Sequence, residues 1–228
     1  MLAVSLDGRL APAEGGAAQI GGPGDRRVLE EALAWADACL IGARTLRLHG
    51  CTCLIHNTTL LEERRRQGRS DQPGALVVSR RADFDPDLRF FRQPLERWLL
   101  TTAPATSIPP KGFTAMHPLG SWDHTLRDLA AAGLHRLVLL GGADLAGQLL
   151  AANLVDQLQL TVCPRLLGGP HSWLPAGLDL RDSRWSLLEH RLLEGQELML
   201  RYVRLDAASS AGFAEGEGAG GVGLGPTA

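Results

Sequence analysis

Short apolar runs alternate with helical patterns from residue 2 to residue 205, and this alternation constrains the fold more than any other feature. Runs such as Ala75–Val78 have the length of buried strands, whereas apolar residues between Val28 and Ala36 recur at helical spacing. Strands separated by helices need crossover connections, which produce a mostly parallel sheet covered on both faces. The sequence therefore predicts one α/β domain over residues 1–206, with an antiparallel hairpin at its C-terminal end.

Turn and capping residues set the predicted bounds of the elements. Asp25 and Asp123 are predicted to cap two helices, and Glu194-Gly195 is predicted to turn the hairpin. The predicted strands are Leu2–Leu6, Ala38–Ile41, Ala75–Val78, Trp98–Thr101, Arg136–Leu140, Leu158–Cys163, Trp185–Leu193 and Gln196–Leu205. The predicted helices follow Asp25 to Ala36, Leu60–Gln67, Asp123 to Ala132 and Asp144–Ala152.

Composition narrows the class of protein. Residues 207–228 are rich in glycine and alanine and cannot bury enough apolar area to offset their ordering entropy, so they predict a disordered tail. A net charge of −2 gives no basic field for nucleic acid or for a membrane surface, and no apolar run is long enough to span a bilayer. Four cysteines without framework spacing, and a start without a secretory pattern, predict a cytoplasmic enzyme or small-ligand binder.

The segment HRLVLLGGADLAGQLL is the most informative one for function. Gly141 and Gly142 stand between a buried strand and a helix. Glycines allow a ligand to approach the backbone closely, and the first N–H groups of a helix attract an anion such as a dinucleotide pyrophosphate. Because the G-x-G-x-x-G spacing is absent, a tight turn that binds nothing is the alternative interpretation.

Two further strand ends carry groups that suit the same ligand. Gly42 to Thr45 supply a flexible turn and a hydroxyl, and Ser79-Arg80-Arg81 supply a hydroxyl and two guanidiniums. Ligands of open α/β sheets bind at the carboxyl ends of strands. A guanidinium pair fits the 2′-phosphate of NADPH, and simple solvated arginines are the alternative.

Two other segments hold candidate reactive groups. Asp7-Gly8 is typical of a hairpin turn, but the Asp7 carboxylate also has the chemistry to orient a polar heterocycle. If the stretch from His49 to His56 is extended, His49, Cys51 and Cys53 share one face. Their spacing matches no common zinc pattern, so no metal site is predicted.

Five segments in this order resemble the RibD C-terminal family, the reductase domain of riboflavin biosynthesis. They are AVSLDGRLA, ADACLIGARTL, ALVVSRR, LVLLGGADLAGQLL and LVDQLQLTVCPRLLGG. The resemblance covers residues 1 to about 205 and implies a dihydrofolate-reductase-like fold. Members of this family reduce a ribosylaminopyrimidine phosphate with NADPH, and many form homodimers. The resemblance therefore implies an NADPH-dependent reductase of this type, a homodimer without nucleic-acid or membrane partners.

The strand ends and the resemblance together predict a cofactor site, while the substrate side differs from the family. The predicted cofactor-binding residues are Gly42, Thr45, Ser79, Arg80, Gly141, Gly142, Ala143, Asp144, Leu145 and Ala146. Asp7 is expected to contact the substrate, with His49 as an acid or phosphate partner. Where the family tends to have charged groups, this chain has Leu33, Leu140 and the stretch from His49 to His56. A reductase of another heterocycle such as a pterin, or a non-catalytic nucleotide-binding protein, are the alternative functions.

Overall fold

The computed structural model describes residues 1–17, 19–103, 109–180 and 183–205, and the predicted tail at 207–228 lies outside them. The strands are β1 Leu2–Ser5, β2 Ala38–Gly42, β3 Gly74–Val78, β4 Arg97–Thr101, β5 Ala115–Pro118, β6 Leu137–Leu139, β7 Gln157–Cys163, β8 Trp185–Leu192 and β9 Leu198–Arg204. The α-helices are α1 Pro23–Trp35, α2 Ala43–His49, α3 Thr58–Arg66, α4 Trp122–Ala131 and α5 Ala143–Ala151. Two short 3₁₀ helices cover Arg89–Arg92 and Glu194–Gln196.

The strands form two sheets that meet at the start of the chain. The first sheet is entirely parallel and has the order β5-β4-β3-β2-β6. In the second sheet, β1 runs parallel to β7, and β7, β9 and β8 are antiparallel neighbours. The amino group of Met1 donates to the carbonyl of Leu139 at 3.0 Å, which ties β1 to β6. This topology confirms the predicted α/β fold with its C-terminal antiparallel hairpin.

The parallel sheet is buried on both faces because its strands are continuously apolar. One core cluster joins alternate strand residues to α1 and α2, and its members include Ile41, Val77, Leu99, Leu33 and Leu46. The cluster on the opposite face joins the intervening strand residues to α4, and its members include Leu40, Leu76, Leu100 and Leu129. Helices on both faces explain why these strands show no alternation of polar and apolar residues.

Neither aspartate predicted to be a helix cap has that position. The N-cap of α1 is Gly22, because the fixed φ of Pro23 suits the first helical position and the helix begins there. Asp25 therefore lies inside the first turn of α1. In α4 the N-cap is Ser121, whose hydroxyl accepts a hydrogen bond from the His124 N–H at 3.4 Å. Asp123 is likewise a first-turn residue.

The stretch from His49 to His56 is not one extended segment, so the condition under which His49, Cys51 and Cys53 would share one face is not met. His49 ends α2, and Gly50 follows it in the left-handed region with φ of 68°. The irregular backbone from Cys51 to Asn57 is held by buried polar side chains. Gln93 exchanges two hydrogen bonds with Thr52, Gln72 exchanges two with Ile55, and Glu30 accepts from the N–H groups of His56 and Asn57.

Candidate active site

A cleft of about 2290 Å³ opens at the carboxyl ends of β2, β3 and β6. These three strands are parallel neighbours in the first sheet, so the turns that follow them reach the same edge of that sheet. Residues 42–45, 78–81 and 140–145 line the cleft together. The structure thus brings together the three turns that the sequence analysis singled out.

The N-termini of two helices lie close together in this cleft. Both α2 and α5 begin at glycine N-caps, Gly42 and Gly142, without a side-chain cap hydrogen bond. Gly141 and Gly142 have φ of 108° and 97°, values that L side chains rarely adopt. A Cβ on Gly142 would lie 3.2 Å from Oγ1 of Thr45. The absence of side chains on both caps leaves backbone N–H groups and the Thr45 hydroxyl available to an anion.

The third turn adds positive charge at the rim. Ser79 is buried at the end of β3, and its hydroxyl accepts a hydrogen bond from the Arg81 N–H at 3.3 Å. Arg80 and Arg81 are both exposed and line the cleft. Arg47 of α2 borders the same turn, with its guanidinium 4.8 Å from the centre of the Phe84 ring and 3.2 Å from Asp83. This turn therefore places the guanidiniums of Arg80 and Arg81 at the cleft, on a loop that the Ser79 hydrogen bond helps to hold in place.

The opposite half of the cleft is formed by α1, the loop after β1 and the loop before β8. It contains the side chains of Arg9, Arg26 and His171, and His49 at the C-terminal end of α2 also lines the cleft. Leu33 is completely buried in the core and does not line the cleft, whereas Leu140 does. This half of the cleft holds cationic and imidazole groups but differs from the charged pattern expected of the family.

Two predicted site residues lie outside the cleft. Ala146 is buried, and its N–H is already bonded to the carbonyl of Gly142 at 2.9 Å. The Asp7 carboxylate accepts hydrogen bonds from the Ser5 hydroxyl and from the N–H groups of Leu167 and Gly168. These hydrogen bonds, that of Ser5 first, hold the pKa of Asp7 well below its usual range. Asp7 is ionised and fixes the turn at Gly168; its contact with substrate stays a prediction.

Sequence reasoning missed a buried carboxylate that orders the entrance of α1. Glu197 is 3% exposed, and its two carboxylate oxygens accept from the N–H groups of Gly22 at 2.5 Å and Asp25 at 2.8 Å. Glu197 thus caps α1, although it lies just before β9 in the sequence. No local pattern could reveal it, because the partners are more than 170 residues apart in sequence. With this cap in place, the side chain of Asp25 is left in the cleft.

Metal ligation and membrane insertion have no structural feature to support them in the described part of the chain. Its residues include no group of three or more His, Cys, Asp or Glu side chains arranged to hold a metal ion. The four cysteines are free. Among the described residues, no helix has the length and apolar character needed to cross a bilayer.

The parallel sheet, the added antiparallel hairpin and the glycine-capped cleft define a dihydrofolate-reductase-like α/β protein. Dihydrofolate reductase from Enterococcus faecalis, solved with NADP(H) and RAB-propyl, superimposes with a TM-score of 0.52 at 13% identity, over 90% of this chain and 94% of that one. The chain belongs to the RibD C-terminal domain family, whose model matches residues 1–197. This finding confirms the family resemblance seen in the sequence.

Individual relatives extend this comparison. The chain is 23% identical to 2,5-diamino-6-ribosylamino-4(3H)-pyrimidinone 5′-phosphate reductase of Archaeoglobus fulgidus, over 89% of this chain and 96% of that protein. It is 27% identical to riboflavin biosynthesis protein RibD of Haemophilus influenzae, over 73% of this chain and 46% of that protein. The chain thus matches only about half the length of that RibD protein. A pyrimidine reductase-like protein from Corynebacterium diphtheriae superimposes with a TM-score of 0.69 at 21% identity, over 90% of both chains.

Proposed function

We propose that this protein is an NADPH-dependent reductase of the riboflavin-pathway type that acts on a ribosylaminopyrimidine phosphate. The proposal is supported by the names of the relatives, which include pyrimidinone phosphate reductases. The observation that carries it is a cleft lined by the uncapped N-termini of α2 and α5 and by two exposed arginines. A cleft with this donor set suits a dinucleotide phosphate.

The residues present fit NADPH at the ends of the parallel strands. The N–H groups of Ala143, Asp144 and Leu145 would hold the pyrophosphate, and the Thr45 hydroxyl stands opposite them. Arg80, beside the buried Ser79, would pair with the 2′-phosphate. When bound, NADPH supplies a hydride, that is, two electrons and one hydrogen.

The substrate would occupy the other half of the cleft, where His49, Arg26 and His171 stand. His49 is exposed at the end of α2 and remains our candidate for an acid or a phosphate partner. The apolar side chain of Leu140 in the cleft favours a second candidate function, reduction of a different heterocycle such as a pterin. A cleft built around polar groups of one substrate discriminates strongly against another, so the two functions are separable by assay.

NADPH consumption in the presence of each candidate substrate tests this proposal. We expect oxidation of NADPH with 2,5-diamino-6-ribosylamino-4(3H)-pyrimidinone 5′-phosphate or with 5-amino-6-(5-phosphoribosylamino)uracil. Oxidation only with dihydropterin substrates would support the second candidate. Tight NADPH binding without oxidation of either class would instead support a nucleotide-binding protein that lacks catalysis.

We also propose that the protein is a cytoplasmic homodimer. The supporting observation is the surface around β8, a strand at the edge of its sheet, where Leu187, Leu188 and Leu192 are 49%, 55% and 71% exposed. An apolar edge of this kind is covered in stable proteins. The four free cysteines fit a reducing compartment. Sedimentation equilibrium should give a dimer mass for the wild type and a monomer mass for Leu188→Arg.

A further inference from the structure

Asp25 is an acidic residue of the cleft to which the proposed function assigns no task. It lies in the first turn of α1, but its side chain does not cap that helix, because Glu197 accepts the N–H groups of Gly22 and Asp25 instead. Of the cleft-lining carboxyl residues in the described ranges, Glu14 and Asp144 are exposed and Asp25 is mostly buried. Among these three residues, Asp25 therefore has the least exposure to water.

The surroundings of Asp25 enclose its carboxyl group but leave one of the two carboxyl oxygens without a hydrogen-bond partner in the described part of the chain. Oδ1 of Asp25 is buried and has no hydrogen-bond partner among the described residues. Oδ2 packs against the backbone of Gly21, where a Cβ would lie 2.2 Å away. The hydroxyl of Thr161 on β7 is buried beside Asp25 and lowers the pKa of that carboxyl group, but by less than burial raises it. An unpartnered buried oxygen is costly as an ion and much less costly when protonated.

Charged groups face Asp25 from three elements. The carboxylate of Glu197, just before β9, opposes ionisation of Asp25, whereas the guanidinium of Arg26 and the amino group of Met1 favour it. Burial, the largest effect, together with Glu197 raises the pKa of Asp25 above its ordinary value. The thiols of Cys53 and Cys163 also face Asp25; burial raises the pKa of Cys53, and it raises that of Cys163 to about 12, so both thiols are neutral.

Asp25 is also close to the predicted cofactor turn. The amino group of Met1 interacts with Asp25 and donates to the carbonyl of Leu139, two residues before Gly141. A Cβ on Gly141 would in turn lie 3.7 Å from the side chain of Leu2. The first two residues of the chain therefore connect the carboxyl group to the turn that would hold the cofactor.

We propose that Asp25 is the proton donor of the reduction, a role that rests on the proposed function. Conversion of a ribosylamino group to a ribitylamino group consumes one hydride and one proton. The hydride forms a C–H bond at C1′, the bond between C1′ and the ring oxygen breaks, and that oxygen gains the proton from the Asp25 carboxyl group. The resulting carboxylate regains a proton from water through the open cleft.

Other acidic residues do not have the properties of a proton donor. Asp7 is outside the cleft and is held ionised by its hydrogen bonds. Both oxygens of Glu197 are engaged with backbone N–H groups. Asp144 is exposed at the first turn of α5, next to the predicted pyrophosphate position. Asp25 alone among these four combines a place in the cleft with burial and an unpartnered oxygen.

The test compares Asp25→Asn and Asp25→Glu with the matched control Asp123→Asn. Asp123 is also a first-turn aspartate, but it is exposed on α4 and does not line the cleft. Steady-state NADPH consumption is measured between pH 5 and pH 9 with 2,5-diamino-6-ribosylamino-4(3H)-pyrimidinone 5′-phosphate. NADPH affinity, carboxyl ¹³C titration of the unloaded protein and thermal unfolding are measured on the same variants.

We expect the wild-type rate to fall as pH rises through the pKa of Asp25, because the protonated form is the donor. Asp25→Asn should lose at least a hundredfold in kcat and should lose this pH dependence, within the range of general acid catalysis. Its NADPH affinity should change less than threefold, and Asp25→Glu should recover part of the rate. At pH 7, Asp25→Asn should also raise Tm, because it removes a buried carboxyl whose ionisation opposes folding. Asp123→Asn should behave as the wild type.

The carboxyl titration separates this proposal from the proposed function. An Asp25 signal that titrates at the ordinary aspartate value near 3.9 would overturn the proposal whatever the activity. The proposal is also overturned if Asp25→Asn keeps its rate within fivefold of the wild type with the same pH dependence. If the wild type binds NADPH but reduces no ribosylaminopyrimidine, the proposed substrate fails. In that case, a raised titration of Asp25 still supports a proton-holding group in the cleft.

Discussion

Substitution of Gly142 by alanine probes the gap between α2 and α5 with a single methyl group. The added Cβ would lie 3.2 Å from Oγ1 of Thr45, tighter than nine in ten real Cβ contacts, at the turn to which we assign the pyrophosphate. Gly142 also has φ of 97°, so the methyl group strains the backbone as well. Loss of binding and loss of stability must therefore be separated.

Gly133→Ala is the matched control for backbone strain. Gly133 has φ of 88°, follows α4, and has no atom within 4 Å of an added Cβ. It does not line the cleft. A residue in such a conformation costs about 1–3 kcal/mol, which corresponds to a Tm decrease of roughly 2–12 °C for a domain of this size. Both variants should show a decrease of this order.

Only Gly142→Ala should lose affinity for NADPH. We expect a decrease of at least tenfold, equivalent to about 1.4 kcal/mol, in a fluorescence titration performed well below the Tm of the variant. Gly133→Ala should bind NADPH within twofold of the wild type. If folded Gly142→Ala binds NADPH as tightly as Gly133→Ala does, the Gly141-Gly142 turn is only structural and the assignment of the pyrophosphate to it is refuted.

Three further outcomes concern cofactor choice, stability and metal content. Arg80→Ala should weaken NADPH binding by about ten- to a hundredfold in calorimetry without affecting NADH, because a charge-assisted contact contributes roughly 1.5–3 kcal/mol; equal losses for both cofactors would contradict this. Arg64 is buried and donates to four carbonyls, so Arg64→Met should lower the free energy of unfolding in urea by about 3 kcal/mol, whereas exposed Arg66→Ala should change it little. Elemental analysis should find no stoichiometric zinc, and metal that disappears in Cys51→Ser would refute that expectation.

The strands of the parallel sheet were predictable because burial on both faces leaves a plain signature in the sequence. Runs such as Ala38–Ile41 and Ala75–Val78 are continuously apolar, and the structure places strands there at Ala38–Gly42 and Gly74–Val78. By contrast, β5 has the sequence AMHP at the edge of the sheet, and its mixed character gives no such signature. The sequence patterns also failed to predict α2. This helix begins directly after β2 at a glycine, so no typical capping residue marks its start.

Of the candidate site, the sequence could predict what is local and could not predict what depends on distant contacts. The turns at Gly42, Ser79 and Gly142 were predictable, because each directly follows a strand and the ends of parallel strands converge. The environment of Asp25 was not predictable, because an aspartate near the start of a helix usually indicates an N-cap. Only the folded chain brings Glu197 to that helix and frees Asp25 for the cleft.

The described helices differ in whether a side chain caps their first N–H groups. α3 begins at Asn57, whose side chain accepts from the Leu60 N–H, α4 begins at Ser121, and α1 is capped from afar by Glu197. Within the described ranges, α2 and α5 are the helices without a side-chain cap, and the N-termini of both line the cleft. A missing cap costs about 1 kcal/mol, and water or a bound anion can satisfy the N–H groups that are left free. A phosphate is such an anion, so the two uncapped helix starts in the cleft agree with the proposed position of the cofactor pyrophosphate.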